Sequence, residues 1–388
     1  MKKVVIFYKS YRKYGGQERV IWNFTHYLTQ QGYSVEMYAM KIKNSPEHKN
    51  IKVNKVKIPN LGVGLRTLFF AVYAYFKVRN ITDGVVFGFG KTFHQDIYRA
   101  DGGVHKYYFK RAKLKYRSKF GRFFYILKKF LSISHWVNIW IENRTYSDKR
   151  LEKIVVPSEF VKMQIKTVFN EVDENKIEII RNDVTVERFN YENRKAVGQS
   201  IRDRLGLKSS DTVFCFVSTN HRLKGLEYLL EACSLLKKRG YKFSLIVAGN
   251  GNSLYFKKII KKLGLSENVK CLGVVKDVEN IYYASDFLIY PTLFDTFGLV
   301  VLEAMACGAV VFCSKYAGAS EIIDDSNFII KDPTDTTEIA DKMMYAIDNK
   351  NLWDVWSQKA HKTAGQYSTN TSNVKLLQAV EKLTANKH

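Results

Sequence analysis

Two carboxylates eight residues apart, Asp295 and Glu303, flank Gly298 in a run from Pro291 to Gly308 that reads as strand end, loop and apolar helix. Glu303 stands between Leu302 and Ala304, and a carboxylate in so apolar a helix is rarely buried without donors. Hydroxyls of a sugar or a ribose would supply them; a surface-facing Glu303 is the plain alternative. A second group, Arg222-Leu223-Lys224-Gly225, falls after one expected strand and before one expected helix. Two cations at a helix N-terminus oppose its dipole, and a bound diphosphate would compensate them. An exposed basic loop is the competing reading. The third group is Gly15-Gly16 at a helix start, where glycines permit close backbone approach and free N–H groups favour an anion. A Gly-Gly turn with purely structural duty is as common. All three groups are expected at strand ends, the edge at which open α/β sheets bind ligands.

The elements that must hold these residues alternate, strand then helix, along the whole chain, which argues for a doubly wound α/β architecture. Val4–Tyr8 reads as a buried strand, followed by a helix to Gln31 and a second strand over Ser34–Met40. Further strands are expected at 84–89, 154–156, 177–180, 213–217, 243–247, 287–290 and 310–313. Helices are expected at 225–238, 299–307 and 336–347, with a helical tail from Leu352. A length of 388 residues suits two domains,. The stretch Glu187–Ser209 is polar and without a strong period, so the boundary is expected near it. The division reads as 1–185, 186–365 and a returning C-terminal helix over 366–388.

Five cysteines, all in the second half and without metal-ligand spacing, suit free thiols in a reducing compartment,. No signal peptide and no spanning stretch of ~20 apolar residues is visible. The net charge of +25 is unevenly placed: residues 1–150 hold 30 Lys and Arg against 8 Asp and Glu, and residues 151–388 hold 32 against 29. Within Gly102–Ile141 there are 10 basic residues and no acid, threaded with aromatics such as Phe120, Phe123, Phe124, Phe130, Trp136 and Trp140. Rings and aliphatic stems can enter a headgroup boundary while the cations meet lipid phosphate. A solvated basic helix and a single-stranded nucleic-acid surface are the alternatives; no nucleic-acid module accompanies the segment, so no nucleic-acid partner is expected.

The Asp295–Gly308 run resembles the acid-x7-acid motif of retaining glycosyltransferase family 4. Gly15-Gly16 resembles that family's N-terminal glycine loop, and Val156–Val161, Asn182–Phe189 and Ala317–Ile322 resemble further family elements in order. The N-terminal half, through Tyr8-Lys9, Gly15–Arg19, Gly88–Lys91 and Asp96–Asp101, is most similar to the lipopolysaccharide core glucosyltransferase I group.

The resemblance implies a GT-B fold, two Rossmann-like domains facing across a cleft, with the C-terminal helix returning to the first. It implies transfer of a hexose from a UDP-sugar, UDP-glucose by analogy, with retention and without metal or other cofactor. The acceptor would be a lipid-linked or lipopolysaccharide core glycan at an anionic membrane surface, with the enzyme attached peripherally to the cytoplasmic face. Lys224, with Arg222, would neutralise the donor diphosphate, and Glu303 would hold the ribose. Asp295 would contact sugar hydroxyls, and the amides of Phe297, Gly298 and Leu299 would touch sugar and phosphate. Asp101 would orient or deprotonate the attacking hydroxyl. Asp295 departs from the family's usual Glu, Asp183 from its Gly and Thr185 from its Asp. The donor sugar and the oligomeric state stay open, as do two other classes, a UDP-sugar epimerase and a nucleic-acid binder.

Overall fold

The computed structural model describes the chain except residues 1, 14, 45, 209, 252, 368, 387 and 388. It forms two compact units, residues 1–113, 118–182 and 370–388 in the first, 114–117 and 183–369 in the second.

The first unit begins β1 (Lys3–Tyr11), α1 (Gly16–Gln30), β2 (Ser34–Ile42), β3 (Ile51–Lys55), α2 (Gly62–Arg79), β4 (Val85–Gly88) and β5 (Ile97–Arg99). Three helices follow, α3 (His105–Ala112), α4 (Lys119–Phe130) and α5 (Ile133–Tyr146), then β6 (Lys153–Val156), α6 (Glu159–Val168) and β7 (Ile177–Ile179). The seven strands lie in the order β3-β2-β1-β4-β5-β6-β7, and all neighbours are parallel. Val4 to Tyr8 are buried without alternation because β1 is covered on both faces,. Ile21, Phe24 and Leu28 recur along one face of α1 and join Val4 and Ile6 in one core,.

The second unit runs α7 (Asn193–Arg204), β8 (Thr212–Val217), α8 (Leu226–Lys238), β9 (Phe243–Ala248), α9 (Ser253–Lys262), β10 (Val269–Gly273) and α10 (Glu279–Ala284). It continues β11 (Phe287–Tyr290), α11 (Leu299–Ala306), β12 (Val310–Ser314), β13 (Ile329–Ile330), α12 (Thr336–Asp348) and α13 (Trp353–Gly365). Its six strands are also parallel, ordered β10-β9-β8-β11-β12-β13. The last helix, α14 (Thr369–Asn386), belongs to the first unit, where Leu376, Leu377, Ala379 and Val380 complete the core around β1.

The polar stretch Glu187–Ser209 is not an unstructured boundary, because α7 lies inside it. The helix buries only Gly198 and Ile201, too little for an apolar period to show. It is held by polar contacts, with Arg202 Nη2 donating to Asp286 at 2.7 Å and Arg194 to the Ser285 carbonyl at 2.8 Å.

The segment expected to be basic and aromatic folds as α3, α4 and α5. On α4 the apolar stripe faces outward: Phe120, Phe123, Phe124, Leu127 and Phe130 are exposed, and Tyr125 is the helix's one buried residue. No helix among the described residues is long and apolar enough to cross a membrane.

Candidate active site

Strand order reverses in each sheet next to the first strand of the unit, between β1 and β4 and between β8 and β11. The chain ends leaving such neighbouring strands diverge, which opens a crevice at the carboxyl edge. In the second unit the segments that leave β8 and β11 are those carrying Lys224 and Asp295.

Gly225 adopts φ +84° as the N-cap of α8, and any side chain there would run into the Pro291 carbonyl. The glycine therefore lets the loop lie directly on the end of β11, where the Leu293 N–H donates to the Leu223 carbonyl at 3.0 Å. Lys224 is thereby delivered to the other loop. Its Nζ donates to Asp295 Oδ2 at 2.5 Å and to the Phe294 carbonyl at 3.0 Å. Asp295 also accepts from the Tyr290 hydroxyl at 2.6 Å and the Phe297 N–H at 3.3 Å. Burial pushes the Asp295 carboxyl up, but Lys224 and the donated hydrogen bonds outweigh it and hold the group below the usual carboxylate range,.

Arg222 turns elsewhere. Its guanidinium lies 4.0 Å from the centre of the Tyr255 ring and 5.8 Å from that of Tyr116, with Nε 3.3 Å from Glu227. The expectation that both cations await a bound anion for their balance is corrected here: Asp295 and Glu227 already face them. The partners lie 71 residues and 5 residues away respectively, and only the fold brings the first one near.

Gly298, at φ +101°, caps α11; the Val301 N–H donates to its carbonyl at 2.9 Å, and the N–H groups of Leu299 and Val300 have no acceptor within the helix,. Phe297 is buried beneath this turn. Glu303 sits one turn beyond Leu299, on the same side of the helix. It is buried, which rules out the surface-facing alternative, and it accepts from the Tyr282 hydroxyl at 3.3 Å. The structure thus gathers Lys224, Asp295, Phe297 and Gly298 tightly, with Leu299 and Glu303 on the helix they open. Tyr290 and Tyr282, the supporting hydroxyls, carry no motif and escape a reading from sequence.

In the first unit, Gly15 takes φ +120° as the N-cap of α1, and a Cβ there would stand 2.7 Å from Glu18 Oε2 and 3.0 Å from Arg12 Nη2. Gly15 therefore makes room for the Arg12–Glu18 ion pair, 2.8 Å long. Tyr8 donates to Gln17 at 2.8 Å, and Gln17 donates to the Phe89 carbonyl at 2.5 Å, which ties α1 to the ends of β1 and β4. Asp101 accepts from Arg99 Nε at 2.8 Å, and Arg99 Nη2 donates to Asn182 at 2.6 Å. Asp101 Oδ2 is buried and has no partner in the protein. Of these residues Tyr8, Arg12, Gln17, Glu18, Phe89 and Arg99 line a cavity of about 550 Å³ reached from the ends of β1, β2 and β4, and Asp101 does not.

No cluster of three or more potential metal ligands occurs among the described residues. What the second unit offers a ligand is a lysine pinned by a carboxylate, a helix start with open amides and a buried acid one turn on. That set can bind phosphate and hydroxyl groups together.

Residues 14–188 match Glycosyltransferase Family 4, and residues 198–363 match glycosyl transferases group 1. The chain belongs to the family 4 glycosyltransferases. It is 28% identical over 174 residues to an uncharacterized glycosyltransferase of Methanocaldococcus jannaschii, covering 44% of each chain. It is 26% identical over 162 residues to the lipopolysaccharide glucosyltransferase WaaG of Escherichia coli, covering 41% of this chain and 43% of WaaG. The matches thus span about half the length of these curated relatives. A crystal structure of WaaG, a glycosyltransferase involved in lipopolysaccharide biosynthesis, superposes over 97% of this chain and 99% of its own with a TM-score of 0.80 and 18% identity. Anabaena HepE, solved with UDP-glucose, covers 98% and 100% with a TM-score of 0.71 and 16% identity. At these identities the structural likeness establishes the fold, which is GT-B.

Proposed function

We propose that this glycosyltransferase moves a hexose, glucose by analogy with WaaG and HepE, from a UDP-sugar to a lipid-linked or lipopolysaccharide core glycan with retention of configuration. The observation that carries the reading is the Lys224–Asp295 pair beside the open start of α11. An ammonium group has three N–H donors. Two are engaged by Asp295 and the Phe294 carbonyl, which leaves one for a diphosphate oxygen.

In this reading Lys224 and the amides of Gly298 and Leu299 take up the charge that develops as UDP departs. Preorganised donors of this kind supply much of an enzyme's rate. Asp295 holds the lysine in place and offers its second oxygen to a sugar hydroxyl, while Glu303 receives the ribose. Arg222, stacked on Tyr255, supports the phosphates by charge. Asp101, held by Arg99 at 2.8 Å, orients the acceptor hydroxyl. The chemistry needs no cofactor, so turnover persists in EDTA.

The outward stripe of α4 and its flanking lysines would dock the enzyme on an anionic leaflet, the cytoplasmic face by analogy, where such an acceptor is anchored. Thermal-shift measurements with UDP, other nucleoside diphosphates and UDP-sugars test the donor assignment, because a ligand of the folded form raises the melting point by mass action. UDP-glucose should give the largest shift in the parent and none in Lys224→Ala. Equal shifts in the two proteins would remove the basis of the assignment.

A further inference from the structure

The cavity of the first unit is far more basic than a site for a neutral sugar requires. Its lining holds seven Lys and Arg side chains against a single acid, Glu18. Three of the cations are matched inside the protein: Arg12 by Glu18, Lys91 by Glu142 and Arg99 by Asp101. Lys9, Lys41, Lys43 and Arg66 face no carboxylate within ion-pair distance among the described residues.

The register of the sheet explains their gathering. β1 and β2 run parallel with Ser10 opposite Lys41, so Lys9, Lys41 and Lys43 leave adjacent strand ends together. Arg66 comes from the first turns of α2. Like charges crowded around one concavity repel one another, and a bound anion relieves that repulsion. A second observation points the same way. Arg99, whose side chain is 0% exposed, lines the cavity with Nη1 buried and without a hydrogen-bond partner, although its Nε and Nη2 are both satisfied. A buried guanidinium donor is costly to leave unmade, and an acceptor oxygen in the cavity would complete it. Phe70, Phe89 and Val63 supply apolar wall beside these charges, as a sugar ring needs,.

We infer that this cavity is a phosphate-recognition subsite, which takes a phosphate ester carried by the acceptor glycan next to the hydroxyl that is glycosylated. The inference rests on the transferase reading above and narrows its acceptor to a phosphorylated one. Lys41 and Lys43 are exposed and serve as its entry, and Arg99 and Arg66 form its inner wall.

The full-length protein, saturated with UDP so that the donor site is filled, is titrated calorimetrically with glucose 1-phosphate and with glucose. A second arm measures flotation with phosphatidylcholine vesicles with and without phosphatidic acid, each protein carrying Phe120→Ser/Phe123→Ser/Lys128→Glu/Lys129→Glu so that α4 docking does not contribute, which distinguishes a soluble from a lipid-borne phosphate. Both arms use the parent, Lys41→Ala/Lys43→Ala and Arg66→Gln, and UDP binding in each variant reports an intact second unit. The subsite is upheld if either phosphate probe binds the parent at least tenfold better than its phosphate-free counterpart and both variants lose that preference. It is overturned if neither arm shows the preference, or if the variants keep it. Loss of UDP binding in the parent would strike the transferase reading instead.

Discussion

The ammonium of Lys224 and the carboxylate of Asp295 form the shortest link between the loops that leave β8 and β11, 2.5 Å across 71 residues of sequence. The pair is largely shielded, with side-chain exposures of 16% and 20%. Removing one member of a shielded pair strands the other's charge and costs roughly 3–5 kcal/mol when burial is deep. Lys224→Ala should therefore lower both the melting temperature and kcat, the latter by about 100-fold or more, the scale for one lost charge-stabilising donor. Lys224→Ala/Asp295→Ala should recover much of the melting temperature while kcat stays low. Parallel recovery of both would mean that the lysine only braces the loops. Because the Asp295 carboxyl is held low in the fold, its contribution is complete above the ordinary carboxylate range and fades as pH falls through it,.

The exposed stripe of α4 makes a separate prediction. Phe120 and Phe123 are 73% and 60% exposed, and fully burying one such ring stabilises association by about 1.5–3 kcal/mol,. Phe120→Ser/Phe123→Ser should weaken binding to anionic vesicles at least tenfold without changing the melting temperature. Lys128→Glu/Lys129→Glu should weaken it most at low salt. Unchanged flotation of both variants would leave the stripe without a membrane role.

His105 predicts an acid limit for the first unit. Burial, followed by Lys91, His135 and Lys129, pushes its imidazole down to about 3, and Nε2 lies 3.0 Å from His135 Nδ1. The unfolded chain takes up this proton near pH 6.5. The stabilisation is therefore fully present above pH 6.5 and is lost as pH falls toward 3. Melting curves between pH 7.5 and 4.5 should show a smaller loss for His105→Gln than for the parent. Parallel losses would assign the acid limit elsewhere.

The thiols give a simple check of the second core. Burial pushes Cys215 up to about 12 and raises Cys233, Cys307 and Cys313 as well, while Cys271 is only partly covered. A disulfide reagent at pH 8 needs both the thiolate and access. It should titrate no more than one thiol of the native protein within minutes, at Cys271, and all five after denaturation. Rapid reaction of a second cysteine would mean that this core opens easily.

Much of the fold was readable because parallel strands buried on both faces announce themselves: Val213 to Val217 and Phe287 to Tyr290 are apolar throughout and bounded by polar turns. The run from Asp295 to Gly308 was legible for a related reason, since a glycine with positive φ and an apolar helix leave a sequence trace. What escaped notice was mostly long-range. Nothing local pairs Lys224 with Asp295, Arg99 with Asn182, or Lys41 with the end of β1; the order of the parallel strands and the turns that leave them bring these residues together. Helix α7 leaves no apolar trace in the sequence because arginine-to-carbonyl bonds hold it in place of an apolar stripe. The direction in which α4 faces was equally hidden, since an amphipathic period reads the same whether its greasy side meets a core or a solvent boundary.

The return of α14 to the first unit has a bearing on how the protein is made. Leu376 and Val380 fill the same core as Val4 and Ile6, so a nascent chain that has emerged only as far as residue 182 holds seven strands over an unfinished interior. Synthesis must run through the entire second unit before that gap closes. Until then the half-built body exposes apolar surface, and chaperone dependence and sensitivity to C-terminal trimming should both be traceable to it.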